Sequence, residues 1–244
     1  MAHISITSEI LWNFLGLGVT NTLLTSWIVT ILLVLFAILV GKTIKKIPSR
    51  LQNIAEIVLE KLLDFFASVA GSEAKARKFL PLVGTVFIFI LSANWIGILP
   101  IFGSIGIKHG KEFVPLFRSM NSDLNMTLTL AIIVVVLAHI FGIFSIGLRS
   151  HIGKFLNFTS PTNFFIGILE IIGEISRIIS FSFRLFGNVF AGEVLLTIIG
   201  ILVPYIAPIP FLGMELFVGF IQALIFATLS MLIISTFTEK HTAH

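Results

Sequence analysis

Between Pro161 and Val203 the chain stays apolar for some 40 residues with no loop signal to interrupt it. In hydrocarbon every backbone N–H and C=O has to be paired within the chain, so a run of this kind folds as α-helix. At 1.5 Å per residue such a helix is ~60 Å long, twice the ~30 Å thickness of the hydrocarbon core. It must tilt steeply or lie partly flat. The segment Pro204-Tyr205-Ile206-Ala207-Pro208-Ile209-Pro210 then turns the chain, and 211–238 is again longer than one upright crossing needs. The last third is therefore expected to be a long, steeply tilted helical hairpin.

The rest of the chain reads the same way. Of 244 residues 57% are hydrophobic and 11% charged, with a mean hydropathy of +1.08, far from the balance of a soluble domain. We expect an all-α polytopic membrane protein forming a single membrane domain over 1–244, with about five membrane helices and one interfacial amphipathic helix. Spans are expected at 23–40, 79–99 and 124–148, ahead of the hairpin helices 161–203 and 211–238. Lys42, Lys45, Lys46 and Arg50 close the first span, and Lys75, Arg77 and Lys78 precede the second. Arg149 and Lys154 follow the third. By the positive-inside rule these ends face the cytoplasm, with the N-terminus outside and the C-terminus cytoplasmic. The loop from Ile101 to Asp123 falls outside by span count, although it carries Lys108, Lys111 and Arg118. In 50–70, Leu51, Ile54, Val58, Leu62, Phe65 and Val69 recur at helical spacing opposite Asn53, Glu56, Glu60 and Asp64. That pattern fits a helix lying in the interface or packed on a neighbouring subunit.

Several chemistries are excluded. With no cysteine there is no disulfide, thiolate metal site or Cys nucleophile. Gly41-Lys42-Thr43 has the ending of a P-loop, but position 36 is Phe where that loop needs Gly, so no direct nucleotide binding is expected. The Lys and Arg clusters sit beside apolar runs as topology signals do, which argues against nucleic acid. The histidines lack metal-ligand spacing, and no Ser, His and Asp set suggests nucleophilic catalysis. No catalytic residue, cofactor or metal is expected. His139, on an apolar helix, is expected to be a hydrogen-bonded packing residue. No cleaved signal peptide is expected, since the first apolar run lacks a basic n-region and a small-residue cleavage site.

The polar residues that remain are costly. Glu170, Glu174, Arg177, Arg184 and Asn188 fall within ~80° of arc on one helix at about 100° per residue, and Glu193 lies about 140° from that stripe. Glu215 and Gln222 share a face of the next helix. Four to five ionised groups in one segment cost on the order of 10 to 17 kcal/mol on insertion scales, about what its apolar residues return. Glu170, Glu174 and Arg177 can neutralise one another at i+4 and i+3 spacing. Arg184 has no such option, because its neighbours at those offsets are Ser180, Phe181, Gly187 and Asn188. A guanidinium cannot shed its charge, so its counter-charge has to come from another helix or another chain.

The run Arg184-Leu185-Phe186-Gly187-Asn188, followed by Ala191-Gly192-Glu193 and later by Gln222-Ala223, resembles the signature of subunit a of F-type ATP synthases. Asn94, Gly97 and Pro100, then Asp123-Leu124-Asn125-Met126-Thr127, then Pro161, Asn163 and Glu170 agree with it in order, from about residue 79 to the end. The N-terminal third matches only in layout. The resemblance implies an ion-translocating stator subunit, with the proton as ion, that is not catalytic by itself. Arg184 would be the fixed charge facing a rotating ring of c subunits, each bearing a membrane-embedded carboxylate. Asn188 and Gln222 would be its polar neighbours. Glu193 and Glu215 would line the outer aqueous half-channel, and Glu170 and Glu174 would lie toward the cytoplasmic one. Many relatives place a His at one of the Glu193/Glu215 pair, whereas this chain has Glu at both. Partners would be the c-ring, the b subunits of the peripheral stalk and the lipid bilayer, in a bacterial plasma membrane.

Two other readings of the same residues stand beside this one. In a self-contained proton-coupled secondary transporter, Arg184 would bind an anionic substrate and Glu193 would couple protons; an internal repeat and paired broken helices would accompany it. In a purely structural subunit, Arg184 would be buried in an internal ion pair.

Overall fold

The computed structural model describes residues 8–14, 17–42, 44–46, 48–99, 105–109, 112–155, 160–204 and 206–239. Among the described residues seven α-helices carry the fold: α1 (Asn21–Lys42), α2 (Arg50–Ala70), α3 (Glu73–Ile98), α4 (Leu124–Ile146), α5 (Leu148–Phe155), α6 (Pro161–Leu202) and α7 (Pro208–Thr238). Five of them, α1, α3, α4, α6 and α7, are long and apolar enough to cross a membrane. Two short antiparallel hairpins break the all-helical pattern, β1 (Ile10–Phe14) with β2 (Leu17–Thr20) and β3 (Gly106–His109) with β4 (Glu112–Pro115). Lys111 and Lys240, Tyr205 of the expected turn and residues 100–104 of the expected outer loop lie outside the described residues.

Helix limits follow local chemistry. Ser49 caps α2 by accepting from the Gln52 amide at 3.4 Å, and Gly71 ends it at φ 66°, a left-handed turn that glycine adopts without a Cβ clash. α3 ends at Ile98 because Leu99, which precedes Pro100, takes the extended ψ of 128° that a pre-proline residue prefers. Gly147, at φ 87°, separates α4 from α5 where the sequence suggests one span through 148. α7 starts at Pro208, three residues earlier than the turn residues imply, since prolines are tolerated in the first turn where amides lack helical partners anyway.

The core lies between α3, α4, α6 and α7. Phe79, Val83 and Ile90 of α3 meet Phe226, Met231 and Ile234 of α7, while Ala131, Val134 and Ala138 let α4 approach closely. Two elements are thinly attached. α1 buries only Asn21, Thr22, Thr25, Ser26 and Val29 at its start. α6, 42 residues long, buries a narrow stripe of Gly167, Glu174, Phe181, Ser182, Leu185, Val189 and Gly192 and leaves Phe165, Ile172, Phe183 and Ile201 exposed. In α2, Leu62 and Phe66 enter the core, whereas Leu51, Ile54 and Val58 of the apolar stripe are exposed on this chain. Its first turn instead buries Gln52, whose side chain bonds the Lys45 amide (3.0 Å), the Lys45 carbonyl (3.1 Å) and Glu56 (2.9 Å).

The two ends of the bundle differ. One carries both hairpins and residues 116–123, which fold inward over the ends of α1, α3, α4 and α6. The opposite end carries α2, α5 and the ion pair between Lys75 of α3 and Glu239 after α7.

Candidate functional site

Arg184 stands exposed on α6, and among the described residues its hydrogen bond is to the Ser180 hydroxyl one turn back, at 3.2 Å. No carboxylate of the described residues reaches it. The internal ion pair that the structural-subunit reading calls for is thus absent among the described residues. The arginine borders a cavity of about 440 Å³ walled by Arg177, Ser180 and Arg184 of α6 and by Leu232, Ile233 and Thr236 of α7. One turn on, the Asn188 side-chain amide donates to the buried Gln222 carbonyl oxygen at 2.8 Å, joining α6 to α7 beside the arginine.

Toward the hairpin end, nine residues or ~13 Å along the helix from Arg184, a second polar group forms. Glu215 of α7 is buried, with its carboxyl set against the backbone of Gly192: a Cβ there would lie 2.1 Å from Oε2. The adjacent Glu193 turns to Arg118, whose Nε reaches Oε1 at 3.1 Å and whose Nη2 reaches Oε2 at 3.4 Å, a two-pronged pair. Arg118 is 9% exposed and the Glu193 side chain 37%. The loop carrying Arg118 is held in turn. Its amide donates to the Thr25 hydroxyl (3.3 Å), Asn21 donates to the Pro115 carbonyl (3.4 Å), and Thr22 donates to Asp123 (2.9 Å), whose other oxygen caps α4 at Asn125. Asn121 donates to Asn94 at 2.7 Å, and Asn94 to the Gly219 carbonyl at 3.0 Å. Ser119 presses on Gly97, where a Cβ would come within 2.6 Å of its hydroxyl.

Toward the other end, ten residues or ~15 Å from Arg184, Glu174 is ion-paired with Arg177, and the second Glu174 oxygen faces His139 Nε2 at 3.7 Å. His139 is stacked on Phe237 and hydrogen-bonded to His151 at 3.0 Å, the packing role expected of it. Glu170, partly exposed a turn before Glu174, takes no part in these contacts. The stripe read from helical periodicity is thus divided by use: Glu174 with Arg177, Arg184 with Ser180, Asn188 with Gln222.

Arg118 is the residue that sequence reasoning missed. It counts there as one of three loop charges against the topology, whereas the fold buries it on Glu193. The only hint lies in its surroundings, Ser119, Asn121 and Ser122, polar but too small to hold a solvated loop. Among the described residues no group of His, Cys, Asp or Glu side chains is arranged to hold a metal ion.

The family model for the ATP synthase A chain matches residues 23–235, nearly the whole chain. Over 242 residues the chain is 35% identical to the chloroplastic ATP synthase subunit a of Stigeoclonium helveticum, covering 99% of this chain and 94% of the alga's. The match spans Arg118, the α6 run around Arg184 and the α7 residues that meet it. The chain is a member of the ATP synthase A chain family, an integral membrane subunit a.

Proposed function

We propose that this subunit is the stator side of a rotary proton path, not catalytic itself, in which Arg184 is the fixed charge facing the carboxylates of a turning c-ring. The observation that carries the reading is the state of Arg184: a permanent cation, on an exposed face of a helix flanked by apolar surface, with no acid among the described residues to meet. A carboxylate passing at 4 Å gains about 4 kcal/mol at an effective dielectric of 20, which biases its proton equilibrium by roughly three decades toward release. Away from the arginine the carboxylate regains its proton. The ring can advance only as protons leave on one side and enter on the other, and the guanidinium, which does not titrate and repels cations, blocks a direct leak.

The two polar groups on either side of Arg184 supply the offset approaches. Glu193 and Glu215, with Arg118, form the outer one at the hairpin end. Glu174, the cavity beside Arg177 and the nearby Glu170 form the cytoplasmic one at the α2 end, where the basic clusters at 42–50, 75–78 and 149–154 place the cytoplasm. Each proton crossing is worth about 2.3 kcal/mol per 100 mV, the drive for rotation. The long apolar faces of α6 and α7, tilted in the bilayer, would lie along the ring, and the exposed sides of α1 and α2 would meet lipid and the b subunits of the peripheral stalk. The transporter reading calls for paired broken helices, whereas α6 is continuous from Pro161 to Leu202.

Replacing Arg184 by Ala or Lys tests this. The complex is expected to assemble and to lose coupled transport. Proton-driven ATP synthesis at normal rates in Arg184→Ala would end the reading.

A further inference from the structure

Where α1 leaves the membrane the chain builds a cationic corner rather than a loose loop. α1 is 22 residues or ~33 Å long, just over the ~30 Å hydrocarbon core, so Lys42 emerges at the level of the lipid headgroups. Lys42, Lys45, Lys46 and Arg50 follow within one short segment, all exposed, and among the described residues no acid forms an ion pair with them. Their backbone is pinned. The Gln52 side chain, 4% exposed, accepts from the Lys45 amide at 3.0 Å and donates to the Lys45 carbonyl at 3.1 Å and to Glu56 at 2.9 Å. Ser49 caps α2 on the same turn. Large apolar residues stand exposed beside these cations: Ile44 is 68% exposed and Leu51 56%, with Ile38 and Leu39 on the last turns of α1. From Thr30 onward no residue of α1 is buried.

We propose that this corner is a binding site for the phosphate of an anionic phospholipid in the leaflet on the basic side of the membrane. Lys42, Lys45, Lys46 and Arg50 supply the cations, and Ile38, Ile44 and Leu51 lie against the acyl chains. A solvated loop accounts for four cations but not for isoleucine and leucine exposed among them, which costs free energy in water and none in hydrocarbon. A lysine reconciles the two, since its methylene stem runs along apolar surface while the ammonium reaches the headgroups. Four cations at the end of a membrane helix match the density that attracts anionic lipid, each strengthening the attraction about fivefold. The pinned backbone adds position to charge. Gln52 takes both hydrogen-bonding groups of the Lys45 backbone and holds the corner in one shape, which reduces the freedom lost when a headgroup binds. The acids nearest the corner, Glu56, Glu60 and Asp64, lie further along α2, and Glu56 is engaged by Gln52. A bound lipid also has a use here, because it holds down the part of α1 that the rest of the chain leaves bare.

The test uses the whole ATP synthase in phosphatidylcholine nanodiscs doped with phosphatidylglycerol that carries a photoactivatable acyl chain, against the same label on phosphatidylcholine. After illumination, lipid adducts are mapped by mass spectrometry to peptides covering residues 38–54. The parent complex is expected to give at least about fivefold more adduct there from phosphatidylglycerol than from labelled phosphatidylcholine. In Lys45→Gln/Lys46→Gln, whose replaced side chains are exposed, the ratio should fall to near unity. In Gln52→Leu it should fall although all four cations remain; should that variant fail to assemble, the lysine pair carries the test. Equal labelling by the two lipids in the parent means that α1 meets lipid without reading its charge, and it overturns the proposal. So does adduct confined to a neighbouring subunit, which shows the corner covered by protein. A parental ratio in assembled Gln52→Leu shows charge alone at work and overturns the pinned site. Millimolar inorganic phosphate should leave the ratio unchanged; if it abolishes the preference, the corner takes free phosphate rather than a lipid, and the proposal falls.

Discussion

The contact between Glu215 and Gly192 makes the sharpest demand on a single atom. A methyl placed on residue 192 would lie 2.1 Å from Glu215 Oε2 and 2.2 Å from both its carboxyl carbon and Oε1. Ordinary contact needs ~3.5 Å, so the carboxyl has to retreat by roughly 1.4 Å. The helix backbone of α6 is not free to yield, because Val189 and Gly192 both lie on its buried stripe; the Glu215 side chain yields instead and leaves its position beside Glu193. Displacements of about 1 Å at reacting groups cost up to ~100-fold in rate. Gly192→Ala is therefore expected to lower proton flux through the membrane sector at least tenfold, with assembly intact. The assay is acid-pulse-driven flux in stripped vesicles, with subunit content checked by quantitative blotting. A second change gives the reasoning its exposure: Glu215→Asp shortens the side chain by one methylene, and in the Gly192→Ala background it should recover part of the flux. Parental flux in the single variant, or a double variant no better than the single, refutes the steric argument.

Other outcomes follow from the same geometry. Arg118→Gln should lower the thermal stability of the purified complex by about 1–3 kcal/mol, below the 3–5 of a fully buried pair because Glu193 is partly solvated, and should slow proton entry from the hairpin end; unchanged melting and flux would count against the pairing. Gly97→Val drives a branched side chain into Ser119, whose Cα lies 3.1 Å from a Cβ at 97, so the 116–123 segment should become cleavable by protease added at that face. Asn188→Ala and Gln222→Ala share one hydrogen bond. Their effects on stability should be non-additive by about 0.5–1.5 kcal/mol in a double-mutant cycle, and strict additivity would remove the bond.

The spans were legible because hydropathy over ~20 residues is a strong signal and backbone pairing in hydrocarbon leaves few alternatives. Arg184 stood out in the sequence because its own helix offers no acid three or four residues away, an argument from spacing alone. Glu193 was visible as lying off the stripe, but its partner was not, because Arg118 sits in an irregular segment without periodicity, 75 residues away in sequence. His139 read correctly as a hydrogen-bonded packing residue, yet its bond to His151 depends on where α5 turns back at Gly147, a glycine that hydropathy treats as part of one long span. In α2 the periodic apolar stripe was real, but packing selected Leu62 and Phe66 near its end and left Leu51, Ile54 and Val58 outside. Periodicity identifies an amphipathic helix without saying how much of it is covered.

The polar start of α1 has a consequence for how the chain is made. Asn21, Thr22 and Thr25 are buried, and their long-range partners are Pro115, Asp123 and the Arg118 amide, between 93 and 101 residues downstream. At synthesis rates of about 5–20 residues per second, α1 waits roughly 5 to 20 s for them. During that interval the first helix to insert is also the least finished, with the hydrophobic remainder of α1 anchored and its polar rim still hydrated. The arrival of residues 115–123 then gives the polar start of α1 its partners beside α3 and sets Arg118 within reach of a glutamate not yet synthesised. Assembly of the polar group around Arg118 and Glu193 thus draws on a helix that contributes neither residue.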